Sequence, residues 1–98
     1  MSYTVVIEEP AQRSIEETFL WGVEQWGLEM AQDWYDEVFA TIATLSTLPD
    51  RHALAPDMKK VPEKIRHMIF QRYRILFTVR GEVVHVLYFR GAFKGKRQ

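Results

Sequence analysis

Residues 64–90 read KIRHMIFQRYRILFTVRGEVVHVLYFR, and this stretch decides the fold. Three β-rich runs, 64–70, 73–80 and 83–90, are separated by Gln71-Arg72 and by Gly81-Glu82, spacings that suit tight hairpins. The middle run alternates, with Tyr73, Ile75, Phe77 and Val79 on one face and Arg74, Leu76, Thr78 and Arg80 on the other. A three-residue loop Arg80-Gly81-Glu82, with glycine supplying a positive φ, opposes Val79 to Val83, Phe77 to His85 and Tyr73 to Phe89. That favoured register sets Arg74 beside Tyr88, with Arg90 on the same open face. A two-residue Gly81-Glu82 loop shifts the pairing by one and moves Arg90 away from Arg74.

The apolar face of such a sheet needs a cover, and the residues upstream supply one. Residues 3–8 are rich in Tyr, Thr, Val and Ile and too short for a helix, so they read as a first strand. Pro10 follows and is expected at the first helical position, where its missing N–H costs nothing. Ala11, Ile15, Phe19, Val23 and Trp26 then recur at helical steps, with Gln12, Arg13, Glu16, Glu17, Glu24 and Gln25 largely elsewhere on the wheel. Gly27 ends that helix. A second helix is predicted over 28–48, with the stripe Ala31, Trp34, Tyr35, Val38, Ile42 and Leu45, and Pro49 stops it. One glycine between the two implies an antiparallel pair. Residues 50–63 hold two prolines, mixed charge and weak periodicity, and read as a loop.

Charge is sorted along the chain. Residues 1–49 carry nine carboxylates against the single cation Arg13, whereas residues 50–98 carry twelve cations against four carboxylates. The net charge of zero therefore hides a bipolar molecule, which points to a polyanionic partner or to acidic helices and a basic sheet on separate solvated faces. At 98 residues and 47% hydrophobic content the chain is read as one domain, 1–98, able to bury its own core. Residues 91–98 form a basic tail, with Lys94, Lys96 and Arg97, expected to be mobile. Cysteine is absent, which removes disulfides, thiolate catalysis and Cys-based zinc sites. The start MSYTVVIEEP lacks a signal-peptide pattern, and no apolar run approaches the roughly 20 residues of a membrane span, so a soluble cytoplasmic protein with no membrane association is expected.

Chemistry-bearing patterns are few. His52, His67 and His85 form no His-x-x-x-His pair, and no metal site or cofactor is expected. His85 alternates with apolar residues and reads as a packed core histidine. Glu29, Asp33 and Glu37, four residues apart, read as a solvated stripe. No Gly-rich phosphate loop, Ser-His-Asp order or aromatic RNA-stacking signature is present.

Several pieces in this order resemble the RelE/ParE superfamily of toxins from type II toxin-antitoxin systems, which includes plasmid stabilisation proteins. They are the opening YTVVIEEPA, the second-helix set Ala31, Trp34, Val38, Ile42, Leu45 and Pro49, the paired strands IRHMIFQRYRILFTV, and the final VVHVLYFRG. The resemblance implies an α+β fold, strand-helix-helix-three strands, with two antiparallel helices packed on a mainly antiparallel four-stranded sheet.

It also implies two modes of toxicity. In the RelE-like mode, a ribosome-dependent, metal-independent endoribonuclease holds a phosphate while the adjacent 2′-hydroxyl attacks it. Arg74 would be the bidentate phosphate arginine, Lys59 and Lys60 would add cations, and Arg66, Arg90 and Tyr88 would complete a catalytic set. Gly91 stands where many members have a histidine, and the pI of 6.8 is low for a ribosome binder. The ParE-like mode, inhibition of DNA gyrase through protein contacts, is therefore the leading expectation, and a degenerate member that only binds its antitoxin is a third. The implied partners are a cognate antitoxin, with Leu20, Trp21 and Arg90 as contacts, and gyrase or the ribosome with its mRNA; a homodimer is also compatible. The strand arginines are expected to face outward, away from the helices.

Overall fold

The computed structural model describes residues 2–91, so the basic tail residues Lys94, Lys96 and Arg97 lie outside it. Its elements are β1 (Thr4–Ile7), α1 (Glu9–Trp26), α2 (Leu28–Ala43), three single 3₁₀ turns (Thr44–Ser46, Pro49–Arg51 and Pro56–Met58), β2 (Arg66–Phe70), β3 (Tyr73–Arg80) and β4 (Val83–Gly91). The sheet order is β1-β4-β3-β2, with β1 parallel to β4 and the other pairs antiparallel. Two helices on a mainly antiparallel four-stranded sheet is the architecture expected from the sequence.

Helix boundaries differ from expectation in ways the backbone explains. α1 begins at Glu9, so Pro10 is its second residue rather than its first. Gly27 closes it with φ +95, a value that side chains resist, and its N–H returns to the Val23 carbonyl. The expected stripe holds at Ala11 and Ile15, but Trp26 leaves it and folds back over Gly22. α2 stops at Ala43, not Leu48, and tightens into the 3₁₀ turn that still buries Leu45. Pro49 opens the next turn instead of halting a helix. Leu48, just before that proline, adopts φ 47, a left-handed backbone uncommon for a residue other than glycine.

The helices cover one face of the sheet. Ala11, Ile15, Trp34, Val38, Ile42 and Leu45 meet Met68, Ile75, Phe77, Val84, Val86 and Phe89 there. Burying each of the larger aliphatic and phenylalanine side chains among them contributes roughly 1.5–3 kcal/mol. The opposite face is not open as expected. Leu76 and Thr78 are also fully buried, beneath a loop that places Ala55, Met58 and Ile65 against Leu76 and Leu87. Backbone bonds seat that loop, from Ala55 N–H to the Ile65 carbonyl at 2.8 Å and from His67 N–H to the Ala53 carbonyl at 3.0 Å, and the Thr78 hydroxyl donates to the Lys64 carbonyl at 2.9 Å.

The β3–β4 register is set by the two-residue loop, with Arg80 opposite Val83, Val79 opposite Val84 and Phe77 opposite Val86. Gly81 carries φ 62, which suits a hairpin with glycine in its first turn position. A bulge then skips Leu87, so that Leu76 faces Tyr88, Arg74 faces Arg90 and Tyr73 faces Gly91. The bulge thus sets Arg90 directly opposite Arg74, a pairing that neither bulge-free register contains, and restores the shared face of Arg74, Tyr88 and Arg90 expected from the three-residue loop. His85 pairs with Thr78, outside the helix-covered core, and its Nδ1 lies 2.7 Å from Glu8 Oε2, so it is not the packed core residue expected.

Candidate functional site

The strand pairing puts Arg74, Arg90 and Tyr88 on the face away from the helices, with His67 reaching the same place from β2. Arg90 carries its guanidinium 4.9 Å above the Tyr88 ring. Arg74 is instead held by the covering loop. Its Nη1 and Nη2 donate to the two carboxylate oxygens of Asp57 at 3.0 and 2.7 Å, and its Nε lies 3.4 Å from His67 Nδ1. This bidentate geometry is the one a guanidinium would use on a phosphate. Hydrogen bonding from Arg74 pulls the Asp57 carboxyl down to about 2, with Arg74 and Arg90 adding attraction through space, and the same contact raises the pKa of Arg74 further.

Arg66 is not part of this cluster. It pairs with Phe77 in the ladder and therefore points to the helix side, where Nη1 donates to the His52 carbonyl at 2.6 Å and Nε lies 3.6 Å from Asp50. Arg66 and Arg74 occupy opposite faces. Lys59 and Lys60 are exposed just beyond the turn that carries Asp57. Leu20 and Trp21 lie on the surface of α1, remote in sequence from the arginines and largely solvent-exposed. Among the described residues no group of three His, Cys, Asp or Glu side chains is arranged to hold a metal, and no helix is long and apolar enough to cross a membrane.

The sequence reading missed the loop carboxylates, although their spacing carries a signal. Asp57 and Arg74 are 17 residues apart, as are Glu63 and Arg80, and Asp50 and Arg66 are 16 apart. The loop runs alongside the strands and brings one acid to each arginine in turn. Glu63 accepts from Arg80 Nη2 at 3.0 Å and from its Nε, and these bonds hold the Glu63 carboxyl below its ordinary range. Three of the four carboxylates in the basic half are thereby used against its arginines.

With this geometry in hand, the comparisons with known proteins are decisive for kinship. The family model for the ParE toxin of type II toxin-antitoxin systems, parDE, matches residues 5–92. The chain belongs to the ParE toxin family. A solved structure described as the chromosomal ParDE TA system from P. aeruginosa superimposes with a TM-score of 0.78 at 16% identity, covering 92% of this chain and 96% of that one. At that identity the likeness establishes the shared ParE fold alone. No curated protein matches the sequence.

Proposed function

We propose that this ParE-family toxin arrests growth by seizing a protein target, DNA gyrase, and that a cognate antitoxin neutralises it. The observation that carries the reading is the bidentate clasp of Asp57 on Arg74. An RNA-cleaving site needs cations turned toward the scissile phosphate and groups that move protons beside it. Here the arginine best shaped for a phosphate already holds a carboxylate, and Arg66 faces the other side of the sheet. Protein recognition makes no such demand. The exposed Leu20 and Trp21, together with Arg90, are suited to a protein contact, since desolvated aromatic and arginine side chains dominate binding energy at interfaces.

Induction of the chain in growing cells, with and without the product of its neighbouring gene, tests both halves. Filamentation with DNA damage, and loss of gyrase supercoiling in a purified assay, is the expected result. Prompt translation arrest with cut mRNA would replace this reading by the endoribonuclease. Unhindered growth would leave an inert antitoxin binder, and growth that the neighbour fails to restore would remove the antitoxin from the scheme.

A further inference from the structure

The sorting of charge along the chain becomes a sorting by layer. The helices carry most of the carboxylates on one side of the sheet, and the loop that covers the other side carries Lys59, Lys60 and Lys64. Glu29, Asp33 and Glu37 follow at four-residue steps on α2, and neither they nor the three lysines have an ion-pair partner among the described residues. With zero net charge, no overall repulsion keeps two copies apart, so the opposed layers of a bipolar chain attract one another.

Each layer also carries a matching apolar feature. On α2, Met30 is 62% exposed and lines one hollow together with Asp33 and Glu37. In the covering loop a second hollow, of about 210 Å³, is walled by Leu54, Met58, Val61 and Ile65, with Lys59 and Lys64 beside them. Leu54 and Val61 are exposed, so this hollow opens to solvent. Glu63 also lines it, but its carboxylate is held by Arg80. An unbranched methionine suits an irregular space of this kind, and a knob flanked by two carboxylates answers a hole flanked by two ammonium groups.

We propose that the chain assembles head-to-tail, with Met30 of one copy entering the loop hollow of the next while Asp33 and Glu37 meet Lys59 and Lys64. Knob and hole belong to opposite layers of the fold, so each docking event leaves a free knob at one end and a free hole at the other. Such a contact is heterologous, and it builds a ring or a filament rather than a two-fold dimer. Other occupants match only part of it. A polyanion would satisfy the lysines and leave the apolar hollow empty, and a basic ligand would answer the carboxylates alone. The inference goes beyond the gyrase and antitoxin readings and depends on neither.

Light scattering and sedimentation of the intact chain test it at about 0.01 M and about 0.5 M salt, between which the Debye length falls from roughly 30 Å to under 10 Å. In low salt the average mass is expected to climb with concentration through dimer and trimer, and in high salt to return to the monomer. Two charge swaps, Asp33→Lys with Glu37→Lys and Lys59→Glu with Lys64→Glu, should each give a chain that stays monomeric alone. Mixing the two variants should restore assembly, because each then meets complementary charge at both of its ends. Met30→Ala changes no charge and should weaken assembly about ten-fold. All five positions are exposed, and circular dichroism checks that the variants are folded. A chain that stays monomeric in low salt would overturn the proposal, as would assembly that ignores Met30→Ala, a dimer that grows no further, or swapped variants that fail to rescue each other. Assembly seen only when a single-stranded polyanion is added would assign the lysines to that ligand. Assembly seen only with the neighbouring gene product would assign α2 to that partner. Either result overturns self-docking and leaves the proposed toxicity untouched.

Discussion

The helical hairpin and the loop-covered half of the sheet carry opposite charge, yet they treat that charge differently. In the basic half, Asp50, Asp57 and Glu63 are each brought to an arginine, at Arg66, Arg74 and Arg80, so three of its twelve cations are answered within the chain. In the helices, Arg13 answers Glu9, and Glu29, Asp33 and Glu37 face solvent without an ion-pair partner among the described residues. A bipolar sequence therefore does not yield two equally available surfaces. The strand arginines Arg66, Arg74 and Arg80 are held by their own loop, whereas the α2 carboxylates are not.

The largest effect that would break this comparison is on the loop's packing. If the loop is a true cover, Leu76→Ala should cost about 2–5 kcal/mol in urea denaturation, as a deletion in any buried core does. An open face would lose well under 1 kcal/mol. Next in size, Asp57→Ala should cost about 1 kcal/mol, since a half-exposed pair is partly screened by solvent. The same substitution should free Arg74 and raise the affinity for single-stranded polyanions, with a steeper salt dependence. Unchanged polyanion binding would mean that the clasp does not govern this face.

A smaller effect concerns the seam between the halves. Burial, then Arg51, Arg66 and His67, lowers the pKa of His52, whose Nε2 is buried without a partner and whose ring stands edge-on to Phe77. A histidine with a depressed folded pKa leaves the unfolded chain the better proton binder, so stability present above about pH 6.5 should decline as pH falls through that value. His52→Phe keeps the ring contact and should flatten the slope between pH 7 and 5. The smallest effect sharpens the acidic side. Asp33→Lys turns two like-charge neighbours into attractive ones and should stabilise the fold by about 0.5 kcal/mol, less at high salt.

Elements with strong periodicity were legible in the sequence. The alternation in β3, the helical steps from Ala11 to Ile15 and the glycine between the helices all report local geometry that neighbouring residues alone dictate. What was not legible depended on tertiary context. The skip at Leu87 adds one residue to β4 without any glycine to announce it, and it reversed the expected consequence of the two-residue loop for Arg74 and Arg90. The covering loop had no period to read, so Leu76 was assigned to an open face although it is fully buried. His85 lies between the core residues Val84 and Val86, and the two-residue loop pairs it with Thr78 rather than Phe77, which points it to the other face and toward Glu8. Among the site residues, pairing parity alone separates Arg66 from Arg74, and that parity rests on the Gln71-Arg72 turn, where Gln71 takes φ 57 and its side-chain oxygen accepts a hydrogen bond from the Trp34 indole at 3.2 Å.

The central claim, that the best phosphate ligand of the sheet is occupied by a carboxylate of the same chain, is tested most directly by following the Asp57 side-chain carboxyl carbon through an acid titration by NMR. The ordinary aspartate value is 3.8, and the clasp of Arg74 predicts a midpoint near 2. Because the folded pKa is depressed, the clasp's stabilisation is present above the ordinary value and is lost as pH falls from about 4 toward 2. Arg74→Ala should return the midpoint toward the ordinary value. A midpoint near 4 in the unaltered chain would contradict the account, because it would leave Arg74 free to face a polyanion.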